Sequence, residues 1–314
     1  MSEGRFGKYA LVEDSFNKIN SAIQISYVNP PSIRIVLLET PNIDAYATLR
    51  SGAHIAISTG LCDLLDTYFL RIAFEAEEIL GERIPGARPL LQYELSNDVR
   101  KAIFNVMREG AYYFILLHEF AHILKGHLGL MQQAGSSRLS MVDWFVPRAN
   151  LTAADMRAFE YDADQSAAHN MHHLKVEAIS VPLTLNNWNA EFGQDVSLHS
   201  IASFAALSAF RLLSSGWDNP EDKCHPPMPF RIFLVATCLS MELFKENPGP
   251  YASRLLISTE EYYSEINRSD FKANIGALLG PEGLKRSKSW IDEVHQTLDV
   301  LKPHIASFAT VGRP

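Results

Sequence analysis

The spacing of apolar positions along this chain changes several times, and each change predicts an element. Residues 12–28 read as a helix. Ser32 to Leu38 and Ala53 to Ser58 alternate instead, so each reads as a strand, and the pair is expected to form a small antiparallel sheet. Leu61 to roughly Leu80 returns to helical composition, and Pro85, Gly86 and Pro89 mark 81–89 as a loop. Asp98 to His127 is the longest helical stretch, with Gly110 a weak point inside it. Phe114, Leu117, Ala121, Leu124 and Leu128 form its expected core stripe. Gly129 to Asn150 reads as a connection able to fold over a cleft. Thr152 with Asp155 three residues on signals a helix start, and the helix is expected to run over 153–173. Residues 196–213 and 230–244 are apolar but interrupted by His199, Arg211, Arg231 and Glu242. Neither reaches the roughly 20 uninterrupted apolar residues of a membrane span, so both read as core helices. Two polar loops, Asn186–Gln194 and Gly216–Pro229, flank the first of them. Two more helices are expected within 253–308, the second from Ser287 through Ile305. The expected class is α+β and mostly helical. A domain over 1–250 would carry a helical extension, 251–314, packed on it.

The polar residues inside the longest helix change this picture. Residues 118–122 read His118-Glu119-Phe120-Ala121-His122, set within the run Ala111-Tyr-Tyr-Phe-Ile-Leu-Leu and Ile123-Leu124. Histidines at i and i+4 project from one helix face, so both imidazoles can bind one zinc ion, with Glu119 beside them as general base. Such groups are costly to bury unless paired or metal-bound. Catalytic zinc usually takes three protein ligands. Glu160 is the candidate third, and Asp164, one turn further on the same face, can accept the outer N–H of a ligating histidine. His169, His172 and His173 read as an exposed helix end rather than a second metal site.

Composition narrows the setting. A chain of 314 residues that is 47% hydrophobic can build a large core. Its net charge of −8 argues against a nucleic-acid partner. Cys62, Cys224 and Cys238 are an odd set without paired spacing, as suits a reducing cytoplasm. The start, Met1-Ser-Glu-Gly-Arg-Phe-Gly-Lys, lacks the apolar core of a signal peptide. The expectation is a cytoplasmic protein with no membrane partner.

His-Glu-x-x-His followed by Glu160-x-x-Ala163-Asp164 resembles the minimal gluzincin metallopeptidases of the HtpX and CAAX-prenyl-endopeptidase superfamily. Pro41-Asn-Ile-Asp-Ala-Tyr-Ala47 and Gly52 to Leu61 resemble that family's Asn-Ala-x-Ala, strand and Gly-Leu segment. His225-Pro226-Pro227 with Arg231-Ile232 resembles its His-Pro … Arg-Ile motif. The zinc motif extended to His127 most resembles the Lit-type phage-exclusion peptidases. The resemblance implies a zincin-like fold, zinc on His118, His122 and Glu160, and Glu119, His225 and Arg231 in catalysis. His225 or Arg231 would face the developing oxyanion. It also implies substrate pairing along an edge strand at Ala53, His54, Ile55 and Ala56. The expected function is a zinc endopeptidase acting on a specific intracellular protein in phage defence or stress regulation, under an activator or inhibitor. The alternative is a zinc-bearing regulatory protein of the ImmA/IrrE type that binds a protein partner.

Overall fold

The computed structural model describes residues 7–75, 97–134, 138–140, 151–173, 196–213, 228–243, 249, 252–259 and 281–310. Helix α1 (Ala10–Ser26) buries Val12, Phe16, Ile19 and Ile23, positions three or four apart that form one stripe. The stripe lies on the long helix α3 (Asn97–Leu124), where Phe16 stacks on Phe120 with ring centroids 5.3 Å apart.

Between α1 and α3 come β1 (Ile33–Leu38), β2 (Ala45–Thr48), β3 (Ala53–Ser58) and α2 (Thr59–Glu75). With the short strand β4 (Arg138–Ser140) they make a four-stranded sheet in the order β1-β3-β2-β4. The expected antiparallel pairing of the first and third strands is parallel instead, Ile33 opposite Ala53 through Leu38 opposite Ser58. The cause is β2, whose apolar alternation is too short to stand out in sequence. A tight turn closed by Gly52 N–H to Leu49 O at 3.2 Å folds β3 back antiparallel to β2. That reversal inserts β3 between β1 and β2 and restores the direction of β1. The sheet is therefore mixed.

Helix α3 is the axis of the molecule. From Glu109 to Leu124 every residue is buried, so the expected core stripe is only part of a helix enclosed on all sides. On one side lies α6 (Val196–Leu213), and Phe114 meets Phe210 edge to face at 5.6 Å. Gly110 is a packing position rather than a weak point. A Cβ there would stand 2.8 Å from the Cα of Ala202, so only glycine lets the two backbones approach so closely. On the other side lies α5 (Ala153–His173), followed by α7 (Met228–Leu243). No helix among the described residues is long and apolar enough to cross a membrane.

Helix α3 stops at Leu124. Gly126, at φ +82°, turns the chain into the short helix α4 (His127–Gln133). The end of helix α8 (Pro281–Ile305) clamps this elbow, and Thr310 N–H donates to Leu124 O at 2.7 Å. A Cβ on Gly126 would meet Ile305 O at 2.6 Å and Ala309 N at 2.8 Å. Gly126→Ala is therefore expected to lower folding stability by about 1–3 kcal/mol, from the left-handed backbone and the crowding together. A fall in the urea midpoint at constant slope would register it; an unchanged midpoint would mean the elbow relaxes freely. Helix α8 also lies on α5, with Tyr161 edge-on to Trp290 and its hydroxyl 3.0 Å from His295 Nε2.

The expected loops at 81–89 and 186–194 and most of the connection to 150 lie outside the described residues; so does the loop expected at 216–229, except for Met228 and Pro229, which begin α7 instead.

Candidate metal centre

The site forms where α3 crosses α5. Helix α5 begins as its sequence suggests: Thr152 N–H and hydroxyl donate to Asp155 Oδ2 at 2.7 and 2.8 Å, and Asp155 N–H donates back to Thr152 Oγ1 at 3.2 Å. That start fixes the helix phase, which turns Glu160 and Asp164 toward α3. His118 and His122, also one turn apart, face them. The two Nε2 atoms are 3.0 Å apart, with the rings nearly perpendicular at 80°. Glu160 Oε2 lies 3.6 Å from His118 Nε2, and Oε1 lies 3.6 Å from His122 Nε2. The potential ligand atoms of His118, His122 and Glu160 thus all lie within 4.8 Å of one another, and all three residues are buried. Ligand atoms this close together can share one divalent metal ion.

Behind the cluster the groups are held tightly. His118 Nδ1 approaches Asp164 Oδ1 to 2.9 Å. Arg231, on α7, donates from Nε to Asp164 Oδ2 at 2.7 Å and from Nη2 to Asp164 Oδ1 at 2.9 Å. Nη2 also donates to Glu160 Oε2 at 2.8 Å. The guanidinium carbon sits 4.8 Å from the Phe210 ring centroid, a contact that suits a desolvated cation. Arg231 is fully buried, and two of its nitrogens grip the carboxylates of Glu160 and Asp164. The expected oxyanion donor is in this geometry a clamp on the ligand carboxylate.

Two buried glutamates on α3 separate structural from chemical use. Glu109 accepts from Lys18 Nζ and from the Tyr113 hydroxyl, both at 2.7 Å. Glu119 is 1% exposed; its carboxylate lies near the Ala47 backbone N–H, but neither oxygen has a side-chain hydrogen-bond partner among the described residues. Glu160 Oε1 is likewise without one. Orphaned buried carboxylate oxygens are rare and costly, and they point to a ligand the site is built to receive.

The electrostatics agree. Burial pushes the Glu119 carboxyl up to about 8; His118 and the Ala47 N–H oppose the rise, while Glu160 and Asp44 add to it by repulsion. Burial alone would lower His118, but the carboxylates of Asp164 and Glu160 push it up to about 10. Burial and the neighbouring His118 hold His122 well below the usual range. Burial alone would raise Glu160, yet Arg231 and the two histidines keep it well below the usual carboxylate range. The metal-free cluster therefore draws a proton onto His118, between two carboxylates. A divalent cation would replace that proton with a better-placed charge. Two imidazoles and a carboxylate are a donor set suited to zinc.

The other expected residues fall differently. His225 lies outside the described residues. Ala53, His54, Ile55 and Ala56 are on β3, which is bonded to β1 on one side and β2 on the other. The expected edge strand is interior, because the unforeseen β2 pairs with it. Its backbone is already used within the sheet, and among the described residues the edge strands are β1 and β4. Reading the sequence gives no role to His127 and Asp162, yet both meet the site. His127 Nδ1 is 3.1 Å from His122 Nδ1, and its Nε2 is 3.1 Å from Asp162 Oδ2. The available signal was the third histidine, five residues past His122.

The buried His-His-Glu cluster could hold a metal ion, with the Glu119 carboxylate beside it. A model of the peptidase U49 family matches residues 82–246, just over half of the chain, and the chain belongs to that family. The match includes α3, α5 and α7, and hence every residue of the cluster. No curated protein and no solved structure matches.

Asp164→Ala is expected to weaken metal binding by about 10–100-fold, the usual effect of losing the partner of a ligating histidine. It should also lower folding stability by about 3–5 kcal/mol, because Arg231 loses one of its two buried carboxylates. Chelator competition and urea unfolding read the two effects separately. Unchanged affinity would detach Asp164 from the site.

Proposed function

We propose that this peptidase is a zinc-dependent endopeptidase of the gluzincin type, cutting a specific intracellular protein in the cytoplasm. The observation that carries the reading is Glu119: a buried carboxylate with no side-chain hydrogen-bond partner among the described residues, beside three convergent candidate ligand atoms. A structural metal site usually closes with four protein ligands and has no use for such a group.

His118, His122 and Glu160 would hold the metal. Bound zinc supplies a polarised carbonyl and lowers the pKa of water toward about 7. Glu119 would serve as general base toward the attacking water and as proton donor to the leaving amine. Arg231 and Asp164 keep Glu160 and His118 aligned, and His225 retains its expected role toward the developing oxyanion. The peptide adds as a strand to the sheet, at an edge rather than along Ala53–Ala56. The likeness to phage-exclusion peptidases supports a narrow substrate choice, with an activator or inhibitor controlling access. The division into a domain over 1–250 and an extension over 251–314 belongs to the same reading.

The test compares new protein N-termini in cells expressing the intact protein or its Glu119→Gln variant, beside zinc analysis of both purified proteins. New termini confined to the intact protein, with zinc in both, are expected. Identical termini would refute the peptidase mechanism, and absence of zinc would refute the metal assignment.

A further inference from the structure

Resting on His122 as a metal ligand, we infer that His127 is its positioning residue: a neutral imidazole, oriented by Asp162, that accepts the outer N–H of His122.

The assignment follows from hydrogen-bond direction. A histidine that gives Nε2 to a metal must carry its proton on Nδ1. His122 Nε2 points at His118 and Glu160, so its Nδ1–H points away, at His127 Nδ1, 3.1 Å off. Two N–H groups cannot face each other, so His127 Nδ1 is bare and its proton is on Nε2. That proton meets Asp162 Oδ2 at 3.1 Å, while Asp162 Oδ1 accepts from Lys125 Nζ at 2.7 Å. With His122 Nε2 on the metal, each link has one donor and one acceptor, so a single arrangement of protons satisfies the chain. Ligating histidines usually lean on a carboxylate, a carbonyl or water, as His118 does on Asp164. His122 leans on a second imidazole.

The fold fixes this imidazole from three sides. Gly126 places it at the first position of α4. Phe159 stacks on its ring with centroids 4.7 Å apart and planes 18° apart. Asp162, one turn beyond Phe159 on α5, holds the far nitrogen. Neither α4 nor the flank of α5 carrying Asp162 supplies a metal ligand. His127 is fully buried, and its nitrogens are both taken up by this chain, so it does not compete for the metal. A merely structural histidine would need only the stacking and the Asp162 bond. The contact with His122 distinguishes the two roles.

Two substitutions separate them. His127→Phe keeps a ring on Phe159 but offers His122 no acceptor. His127→Asn places an amide oxygen where Nδ1 stands and restores the acceptor while losing the ring and the Asp162 bond. Zinc affinity by chelator competition is expected to fall about 10–100-fold in the Phe variant and to recover largely in the Asn variant. Nitrogen-15 imidazole shifts of the metal-free proteins should show the proton of His122 on Nδ1 in the natural protein and in His127→Asn, and a tautomer mixture in His127→Phe. Wild-type affinity in His127→Phe, or no recovery in His127→Asn, would overturn the inference. His122→Ala is the control. Zinc lost there but kept in His127→Phe refutes the role of His127 alone, whereas zinc kept in His122→Ala refutes the metal site beneath it.

Discussion

Replacing Glu119 with glutamine is expected to remove peptidase activity while leaving the fold and the metal in place. Glutamine has nearly the same shape, so the packing around position 119 persists. Its amide accepts no proton at neutral pH, so the base is gone. Loss of a general base typically costs about 10²–10⁴-fold in rate, and here the same group also returns the proton to the leaving amine, so the loss should reach the upper end or pass it. The substitution also relieves a site that buries a carboxyl with no side-chain hydrogen-bond partner among the described residues, so stability should not fall. Cleavage at the wild-type rate by a zinc-loaded Glu119→Gln protein would remove Glu119 from the chemistry. Reduced cleavage with parallel loss of zinc would assign it to holding the site instead.

The second large effect is metal loss in His118→Ala and His122→Ala. Each removes one of three candidate ligands from a buried cluster whose ligand atoms lie within 4.8 Å of one another. The effect should go well beyond the roughly 10–100-fold typical of an outer partner. His118→Ala also leaves Asp164 and Glu160 facing Arg231 without the imidazole between them, which should lower stability as well. Elemental analysis of both purified variants should find almost no zinc, against about one zinc per chain in the unmodified protein. Full zinc in either would mean that the histidine concerned is not a ligand.

These two experiments also test different contributions of the fold. Position 119 depends on α3 alone, because the base lies next to the ligating histidines on the same helix. A metal at this cluster would depend on α3 and α5 together, and through Arg231 on α7.

Helical spacing is a local property of the chain. The run 153–173, its start at Thr152 and Asp155, and the core helices at 196–213 and 230–244 are therefore legible in the amino-acid sequence itself. The His118–His122 pair needs only the turn of one helix. Glu160 and Asp164 need the phase of another, and the acidic run supplies it. What the sequence hides depends on contacts between distant segments. Parallel pairing of β1 with β3 is decided by the four-residue β2, too short to announce itself, and with it goes the edge expected at Ala53–Ala56. Gly110 taken alone reads as a flaw in α3; Ala202 against it makes it a point of close approach. Arg231 carries no mark of its partners, because charge alone does not say whether a guanidinium will meet an oxyanion or two carboxylates. The role of His127 is the clearest case. The sequence places it five residues beyond His122, but only the turn at Gly126, the ring of Phe159 and the carboxylate of Asp162 decide which nitrogen faces His122. Sequence sets which groups one helix can present together. Tertiary packing sets which helix they face, and direction in a buried hydrogen-bond chain follows only from that.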